Sequence, residues 1–184
     1  MTEPARERVI ESRRLYEGQV VNLRIDTVQL ASGRRATREV VEHADVVAIV
    51  PLLEDGDVLL VRQYRLPTEQ VMLEVPAGGL DEGETPEDAA QRELGEECGR
   101  RAGRLERLGG VYVSPGFCSE FLHVFLAMEL EPSPLRPEPD EQLAVVRVPL
   151  AEALRLVSAG EIRDAKSVIG LTWAAAKVRG FTIE

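Results

Sequence analysis

The sequence predicts an α/β fold in which a mixed sheet lies between helices, preceded by a small N-terminal β subdomain. Three observations indicate this class. Short apolar runs bounded by turn residues, which are typical of strands, occur together with helical segments, and the two kinds of element follow one another in mixed order. The length of 184 residues suits one compact domain, and a hydrophobic fraction of 44% is sufficient for a sizeable core.

Residues 1–43 are predicted to form the β subdomain. From Val9 to about Glu42 polar and apolar residues alternate, as in Val20–Leu30, and Ala31–Arg35 has the composition of a hairpin turn. Because so small a sheet has little core of its own, we expect it to pack on the main domain, residues 44–184, or on a second subunit.

The main domain is predicted to begin with strands. Asp45–Leu53 is an apolar run suited to a buried strand, Glu54–Asp57 forms a turn, and Val58–Tyr64 returns as a second strand. A short strand, Met72–Val75, ends at the small residues Pro76–Gly79. These strands lead into the segment in which the chemistry is concentrated.

The clearest helix follows these strands. Thr85 is a suitable N-cap, Pro86 fits the first helical position, and Glu87 and Asp88 favour the positive end of the helix dipole. Gly99 is expected to end the helix in the left-handed conformation.

The rest of the chain shows the same signals more briefly. Strands are expected at residues 107–113, 121–130 and 143–148, and helices at about 150–159 and 165–179. Between the last two strands, Glu131–Glu141 is a proline-broken acidic loop.

The formal charge of −10 limits the partners that suit this chain. Duplex nucleic acid is bound largely by Lys and Arg that neutralise its phosphates, so we expect no nucleic-acid partner. A small phosphate-bearing substrate would be repelled by clustered carboxylates unless a cation lay between them. Such a substrate therefore implies bound metal.

The apolar runs are too short for a membrane protein. None reaches the roughly 20 residues of a membrane-spanning helix, and no apolar signal segment opens the sequence. We therefore expect no membrane partner and a cytoplasmic location. Cys98 and Cys118 have no metal-binding spacing, which favours two free thiols.

Three glutamates share one face of the helix that precedes Gly99. Glu93, Glu96 and Glu97 stand three and four residues apart, so that they project from neighbouring positions. Such a cluster is either a solvated acidic face or a divalent metal site, and the spacing alone leaves both interpretations open. Mg²⁺ would fit best, because it prefers oxygen ligands and keeps several waters for contact with a substrate.

A longer pattern surrounds these glutamates. Gly78 is followed after five residues by Glu84 and after seven more by the run Arg92–Gly99. This pattern resembles the Nudix box, and every fixed position of the box is filled. The one departure comes just after Gly99, where the family usually has an aliphatic residue and this chain has Arg100. The resemblance to the Nudix hydrolases implies a Nudix α/β/α sandwich with a mixed sheet.

The resemblance also implies roles for residues of the box. Glu93 and Glu97 would be metal ligands, Glu96 would assist them, and the backbone carbonyl of Ala77 would be a further ligand. Glu84 and Arg92 would brace these carboxylates. The implied cofactor is Mg²⁺, with Mn²⁺ or Zn²⁺ as substitutes.

Three regions outside the box resemble the ADP-ribose pyrophosphatase branch of the family. They are Val61–Arg65 followed by Leu73–Gly78, then Ser114–Glu120, and finally Gly160–Ser167. The resemblance implies a metal-dependent hydrolase of the pyrophosphate bond in a nucleoside diphosphate linked to another group. ADP-ribose would give AMP and ribose 5-phosphate. FAD, NADH, a GDP-sugar and dinucleoside polyphosphates are alternative substrates, and a non-catalytic nucleotide-binding regulatory module is an alternative of another class.

Substrate-binding residues follow from the same resemblance. Those implied at the diphosphate and the terminal ribose are Arg65, Ser114, Gly116 and Glu120, with Asp81 at a box position that can contact a ribose. Glu39 would reach the adenosine half across the interface of a homodimer. Structural interpretations remain open, because Gly116 could permit a turn, Phe117 could be core and Arg65 could pair with a nearby acid.

The resemblance to this branch also implies that the general base lies in the acidic loop. Glu141 is the best match, two residues before the apolar Leu143, and Glu138 and Asp140 are the next choices. The loop could instead be an exposed linker, and in that case Glu96 or Glu97 of the box would serve as the base.

Overall fold

The computed structural model describes residues 5–135 and 142–180, which form ten strands and three α-helices in two compact units. One unit contains the residues up to Asp45 together with Tyr112–Phe121, and the other contains Val46–Val111 and the residues from Leu122 onwards. No helix among these residues is long and apolar enough to cross a membrane.

The N-terminal unit is built on a three-stranded antiparallel sheet in the order β1-β2-β3. The strands are β1 (Arg8–Glu17), β2 (Val21–Gln29) and β3 (Arg35–His43). The predicted hairpin turn between β2 and β3 is confirmed, and Gly33 adopts a φ of 80° there. Every residue of β1 is exposed, and Val28 is the only apolar residue of the three strands that is buried, so this sheet has very little core.

The C-terminal unit contains the remaining strands and all three helices. In chain order they are β4 (Val46–Pro51), β5 (Asp57–Arg65), β6 (Gln70–Glu74), β7 (Ala77–Gly79), α1 (Pro86–Cys98), β8 (Arg100–Tyr112), β9 (Phe121–Pro132), β10 (Leu143–Pro149), α2 (Leu150–Ser158) and α3 (Ala165–Val178). One sheet has the order β7-β4-β9-β8 and is mixed, because β4 runs parallel to β9 and antiparallel to β7. The second sheet has the order β10-β5-β6 and is antiparallel.

Alternate residues of β4 enter two different cores. Val47 and Ile49 pack with Leu94 of α1, whereas Ala48 and Val50 pack in a cluster that includes α2 and α3. Since the side chains of a strand alternate between the two faces of a sheet, helices must cover both faces. The predicted α/β fold with a mixed sheet between helices is confirmed.

Two strands differ from the sequence-based prediction. The strand expected from residue 107 begins at Arg100, directly after α1, and the Gln91 side chain both donates to Ala102 O (2.9 Å) and accepts from Ala102 N (3.0 Å). This pair of hydrogen bonds joins the strand to the helix where the sequence has no apolar alternation. The short strand β7 is not among the expected strands, because its residues Ala77–Gly79 have little intrinsic preference for strands.

Candidate active site

Helix α1 has both predicted ends. Thr85 Oγ1 accepts a hydrogen bond from Asp88 N (3.1 Å), and Pro86 occupies the first turn. Gly99 has a φ of 61° and its N–H donates to Gly95 O (3.0 Å). The caps fix the register of the helix and therefore the directions in which its glutamates project.

The glutamates of α1 differ in their exposure. Glu93 and Glu97 are only 7% and 4% exposed, whereas Glu96 is half-buried. Taking a carboxylate out of water is costly unless cations or hydrogen-bond donors compensate for it. Two buried carboxylates on one helix therefore argue against the simpler interpretation of a solvated acidic face.

Arg92 is the cation at the centre of the cluster. Its guanidinium donates to Glu84 (Nε to Oε1, 2.9 Å; Nη2 to Oε2, 2.8 Å), to Glu93 (2.6 Å) and to Glu96 (3.1 Å). The hydrogen bonds to Glu84, followed by those to Glu93, raise the pKa of Arg92. In return Arg92 holds the pKa of Glu84 below its usual value. One guanidinium thus faces three carboxylates, and the cluster keeps an excess of negative charge.

The backbone of β7 closes against the same carboxylates. Ala77 N donates to Glu97 Oε2 (2.9 Å), and Arg92 Nη2 donates to Gly79 O (2.9 Å). A Cβ placed on Gly78 would lie 1.9 Å from Glu93 Oε1, a distance that no side chain could tolerate. The glycine is therefore needed so that the Glu93 carboxylate can lie against the strand.

The donor set fits a hard divalent cation by its chemistry. Glu93, Glu96 and Glu97 offer carboxylate oxygens beside the backbone of Ala77, and such ligands suit Mg²⁺. Within the described residues, however, no three His, Cys, Asp or Glu side chains are already grouped as a metal site. Arg92 holds Glu93 and Glu96 in this arrangement, so binding a cation would require at least Glu93 to turn away from it.

Arg65 is held by a glutamate that the sequence analysis did not single out. Arg65 Nε and Nη2 donate to the two oxygens of Glu74 (3.1 and 2.7 Å), so Arg65 does pair with a nearby acid. The Arg65 side chain nevertheless stays 39% exposed, whereas Glu74 is 1% exposed. Burial alone would raise the pKa of Glu74, but the hydrogen bond from Arg65 and the charge of Lys166 outweigh it and lower that pKa.

Asp81 lies in the turn that leads to α1. Its N–H donates to Glu84 Oε2 (3.1 Å), and its carboxylate is 3.8 Å from Arg92 Nε. With its side chain 79% exposed, Asp81 is accessible to a ligand at the edge of the carboxylate cluster.

Other candidate residues lie together in the N-terminal unit. Glu39 and Gly116 line a pocket of about 300 Å³, whose wall also includes Arg38 and the exposed ring of Phe117. Gly116 has no positive φ, and a Cβ added to it would have no atom within 4 Å, so the turn does not require glycine there. Phe117 is 55% exposed and is therefore not a core residue.

Ser114 and Glu120 flank this pocket-forming segment. The Ser114 carbonyl accepts hydrogen bonds from Phe117 N (3.1 Å) and Cys118 N (2.9 Å). Glu120 is half-buried, and one of its oxygens is 4.0 Å from His43 Nδ1. The segment is attached to β3 through Val41, which donates to Phe117 O (2.8 Å) and accepts from Ser119 N (3.0 Å).

The candidate bases of the acidic loop, Glu138, Asp140 and Glu141, lie outside the described residues.

The C-terminal unit brings the candidates of the Nudix box together around Arg92. The N-terminal unit brings Glu39 and Gly116 to one pocket. Glu74 and Lys166 were missed as individual residues, although both occur in segments that resemble the ADP-ribose pyrophosphatase branch.

Comparison with protein families matches most of both units. A family model described as the NUDIX domain matches residues 42–168. A second model, described as the nucleoside diphosphate sugar hydrolase N-terminal domain, matches residues 7–41.

Individual proteins are similar over nearly the whole chain. An ADP-ribose pyrophosphatase of Bacillus subtilis (strain 168) is 38% identical over 173 residues, which cover 93% of this chain and 94% of the relative. An ADP-ribose pyrophosphatase of Mycobacterium tuberculosis (strain ATCC 25618 / H37Rv) is 39% identical over 176 residues, 94% of this chain and 84% of the relative. The crystal structure of an ADP compounds hydrolase superposes with a TM-score of 0.88 at 26% identity and covers 98% of each chain.

Proposed function

The chain belongs to the Nudix family, and we propose that it hydrolyses the pyrophosphate bond of ADP-ribose to give AMP and ribose 5-phosphate. The observation that carries this proposal is the carboxylate cluster of α1, in which Glu93 and Glu97 are buried beside β7. The substrate is favoured by relatives named ADP-ribose pyrophosphatase, since the identity to them extends over more than nine-tenths of this chain.

Glu93, Glu97 and the Ala77 carbonyl would hold the divalent ion, Glu96 would assist them, and Mg²⁺ is the best match to this oxygen donor set. When bound, such an ion lowers the pKa of a water molecule and offsets negative charge on the phosphates. Glu84 accepts from Nε and Nη2 of Arg92, whereas Glu93 accepts from Nη1, so Glu84 would keep Arg92 anchored if Glu93 became a ligand of the ion.

In the reaction, the oxygen of water forms a bond to one phosphorus, the bond from that phosphorus to the bridging oxygen breaks, and the second phosphate leaves with that oxygen. A carboxylate takes the proton of the water. We assign this step to Glu141, with Glu138 and Asp140 as the next choices and with Glu96 or Glu97 as the alternative within the box. Arg65 meets the phosphate oxygens, because its guanidinium is partly exposed and always charged.

The rest of the substrate is assigned to the acidic and small residues named by the resemblance. Asp81, Ser114, Gly116 and Glu120 would contact the ribose and diphosphate, and Glu39 would contact the adenosine half. In the predicted division of the chain between residues 43 and 44, Glu39 gives the N-terminal domain a role in substrate contact.

A homodimer is part of the proposal, because the N-terminal sheet exposes apolar side chains. Val9, Leu15 and Tyr16 of β1 are 53%, 45% and 58% exposed. Strand β1 lies at the edge of its sheet, where unpaired backbone groups and exposed apolar side chains can pair with or pack on another chain. X-ray scattering at several protein concentrations tests this, and a monomer throughout would contradict both the dimer and the assignment of Glu39.

The function is tested with purified protein, Mg²⁺ and a panel of ADP-ribose, FAD, NADH, GDP-mannose and diadenosine polyphosphates. We expect AMP to be released fastest from ADP-ribose, and the rate to fall at least about 100-fold in Glu97→Gln, which keeps the shape but loses a metal-binding charge. Faster turnover of another compound would replace the substrate and keep the reaction. No turnover with Mg²⁺ or Mn²⁺ would favour a nucleotide-binding regulatory module.

A further inference from the structure

An ion cluster behind Arg65 joins strand β6 to the start of helix α3. Lys166 Nζ lies 2.5 Å from Glu74 Oε2 and 2.9 Å from Asp164 Oδ1. Glu74 therefore accepts from two cations, Arg65 and Lys166, although it is only 1% exposed. Two cations and two carboxylates neutralise one another in this cluster.

The pairing with Glu74 determines which edge of Arg65 a ligand can meet. Nε and Nη2 both point at Glu74, and because the guanidinium is planar, the Nη1 amino group is directed away from that carboxylate. Arg65 is partly exposed and Glu74 is not. An anion that approaches from solvent therefore meets the outer edge of Arg65.

The same segment connects this cluster to the glutamate helix. Val75 N donates to Ser167 Oγ (2.8 Å), and Ser167 N donates to Asp164, the N-cap of α3 (3.0 Å). Two residues after Val75, Ala77 N donates to Glu97. The position of Arg65 is thus linked by a short, hydrogen-bonded segment to the position of the proposed metal ligands.

Lys166 offsets negative charge around Arg65, on which Glu97 also acts electrostatically. With Lys166 present, the four ionised side chains of the cluster have no net charge, and without it the two carboxylates outnumber the remaining guanidinium. A net negative cluster would repel a diphosphate from Arg65. Stability alone is a poor reason for such a cluster, because apolar residues of similar volume often stabilise a fold as well as a buried ion pair does.

We propose that Glu74 and Lys166 are positioning residues: Glu74 orients Arg65, and Lys166 offsets the negative charge beside it, so that Arg65 binds the diphosphate of the substrate. This inference rests on the proposed function, since it takes a nucleoside diphosphate as the ligand. Neither Glu74 nor Lys166 needs to touch the substrate.

The chain offers a matched control, because its two lysines both lie on α3 and both pair with a glutamate. Lys177 pairs with Glu106 and is 50% exposed, whereas Lys166 is 16% exposed. Lys166→Met and Lys177→Met therefore remove the same group from the same helix. The probe is ADP, and its dissociation constant is measured by calorimetry in the presence of Mg²⁺ at a temperature where both variants are folded.

We expect Lys166→Met to weaken ADP binding about ten-fold or more, and Lys177→Met to change it less than about two-fold. Lys166→Arg should recover most of the affinity, because it restores the positive charge, and it serves as the second variant if Lys166→Met does not fold. Unchanged affinity in Lys166→Met, with loss of melting temperature only, would assign Lys166 a purely structural role and overturn the proposal.

Glu74→Gln separates orientation from charge. It removes a negative charge behind Arg65, so a purely electrostatic effect would tighten ADP binding. If Glu74 orients Arg65, loss of the paired hydrogen bonds between the guanidinium and the carboxylate should instead weaken ADP binding. Weaker binding is the expected result, and tighter binding would contradict the orienting role.

Turnover of ADP-ribose by the unsubstituted protein distinguishes failure of this inference from failure of the proposed function. Binding of ADP that depends on Lys166, without turnover of any compound in the panel, would contradict the proposed function and support this inference. Turnover of ADP-ribose, together with ADP binding that does not depend on Lys166, would support the proposed function and contradict this inference. Absence of both ADP binding and turnover in the unsubstituted protein would overturn both.

Discussion

Gly78→Ala is the sharpest test of the carboxylate cluster. The added Cβ would lie 1.9 Å from Glu93 Oε1, 2.1 Å from its Cδ and 2.5 Å from its Oε2. To reach an ordinary contact of roughly 3.4 Å, the carboxylate must move by about 1.5 Å. Because that carboxylate is the end of a flexible side chain, the fold should accommodate the shift at small cost. A metal site should not, since a misplacement of about 1 Å can cost on the order of 100-fold in rate.

The assay measures the Mg²⁺ dependence of turnover together with the melting temperature. We expect Gly78→Ala to raise the Mg²⁺ concentration needed for half-maximal rate about 10-fold to 100-fold, with little change in melting temperature. Gly79→Ala is the matched control, because nothing lies within 4 Å of the Cβ that it adds. Equal Mg²⁺ dependence in the two variants would refute the position of Glu93 in the metal site. A large fall in melting temperature would show that the backbone, and not the carboxylate, has moved.

Three further substitutions test other parts of the structure. Arg92→Lys keeps the charge but loses the double hydrogen bond to Glu84, so kcat/KM should fall about 10-fold to 100-fold, and a rate near that of the unsubstituted enzyme would contradict the bracing role. Gly109→Ala places a Cβ 2.7 Å from Cζ3 of Trp173, so the free energy of unfolding in urea should fall by about 1–3 kcal/mol, and an unchanged midpoint would show that the ring has room to move. Glu74 has a lowered pKa, so the stability it contributes is present above its usual pKa of 4.5 and is lost as the pH falls through its lower folded value. In Glu74→Gln the free energy of unfolding should therefore fall less steeply as the pH drops below about 4.5. A fall as steep as in the unsubstituted protein would assign that pH dependence to other groups.

The helix of the Nudix box could be predicted almost to the residue. The helix begins after Thr85, whose side chain caps it, and ends at Gly99, whose backbone can adopt the left-handed conformation. Both signals act within one turn of the helix. The shared face of Glu93 and Glu97 follows from the helical repeat alone. Weaker local signals explain why the strand Ala77–Gly79 and the first residues of β8 were not predicted, since these residues have little preference for strands.

The order of most elements, the mixed α/β class and the residues of the box could be predicted from local sequence, because caps, turns and periodicity depend on neighbours a few positions apart. Long-range packing, in contrast, brings Glu93 against Gly78 and lets Arg65 and Lys166 share Glu74. Glu74 and Lys166 are 92 positions apart, and no local pattern encodes their meeting. It arises because β6 and the start of α3 lie side by side. A carboxylate buried there is costly unless cations pair with it, and the packing brings Arg65 and Lys166 within reach.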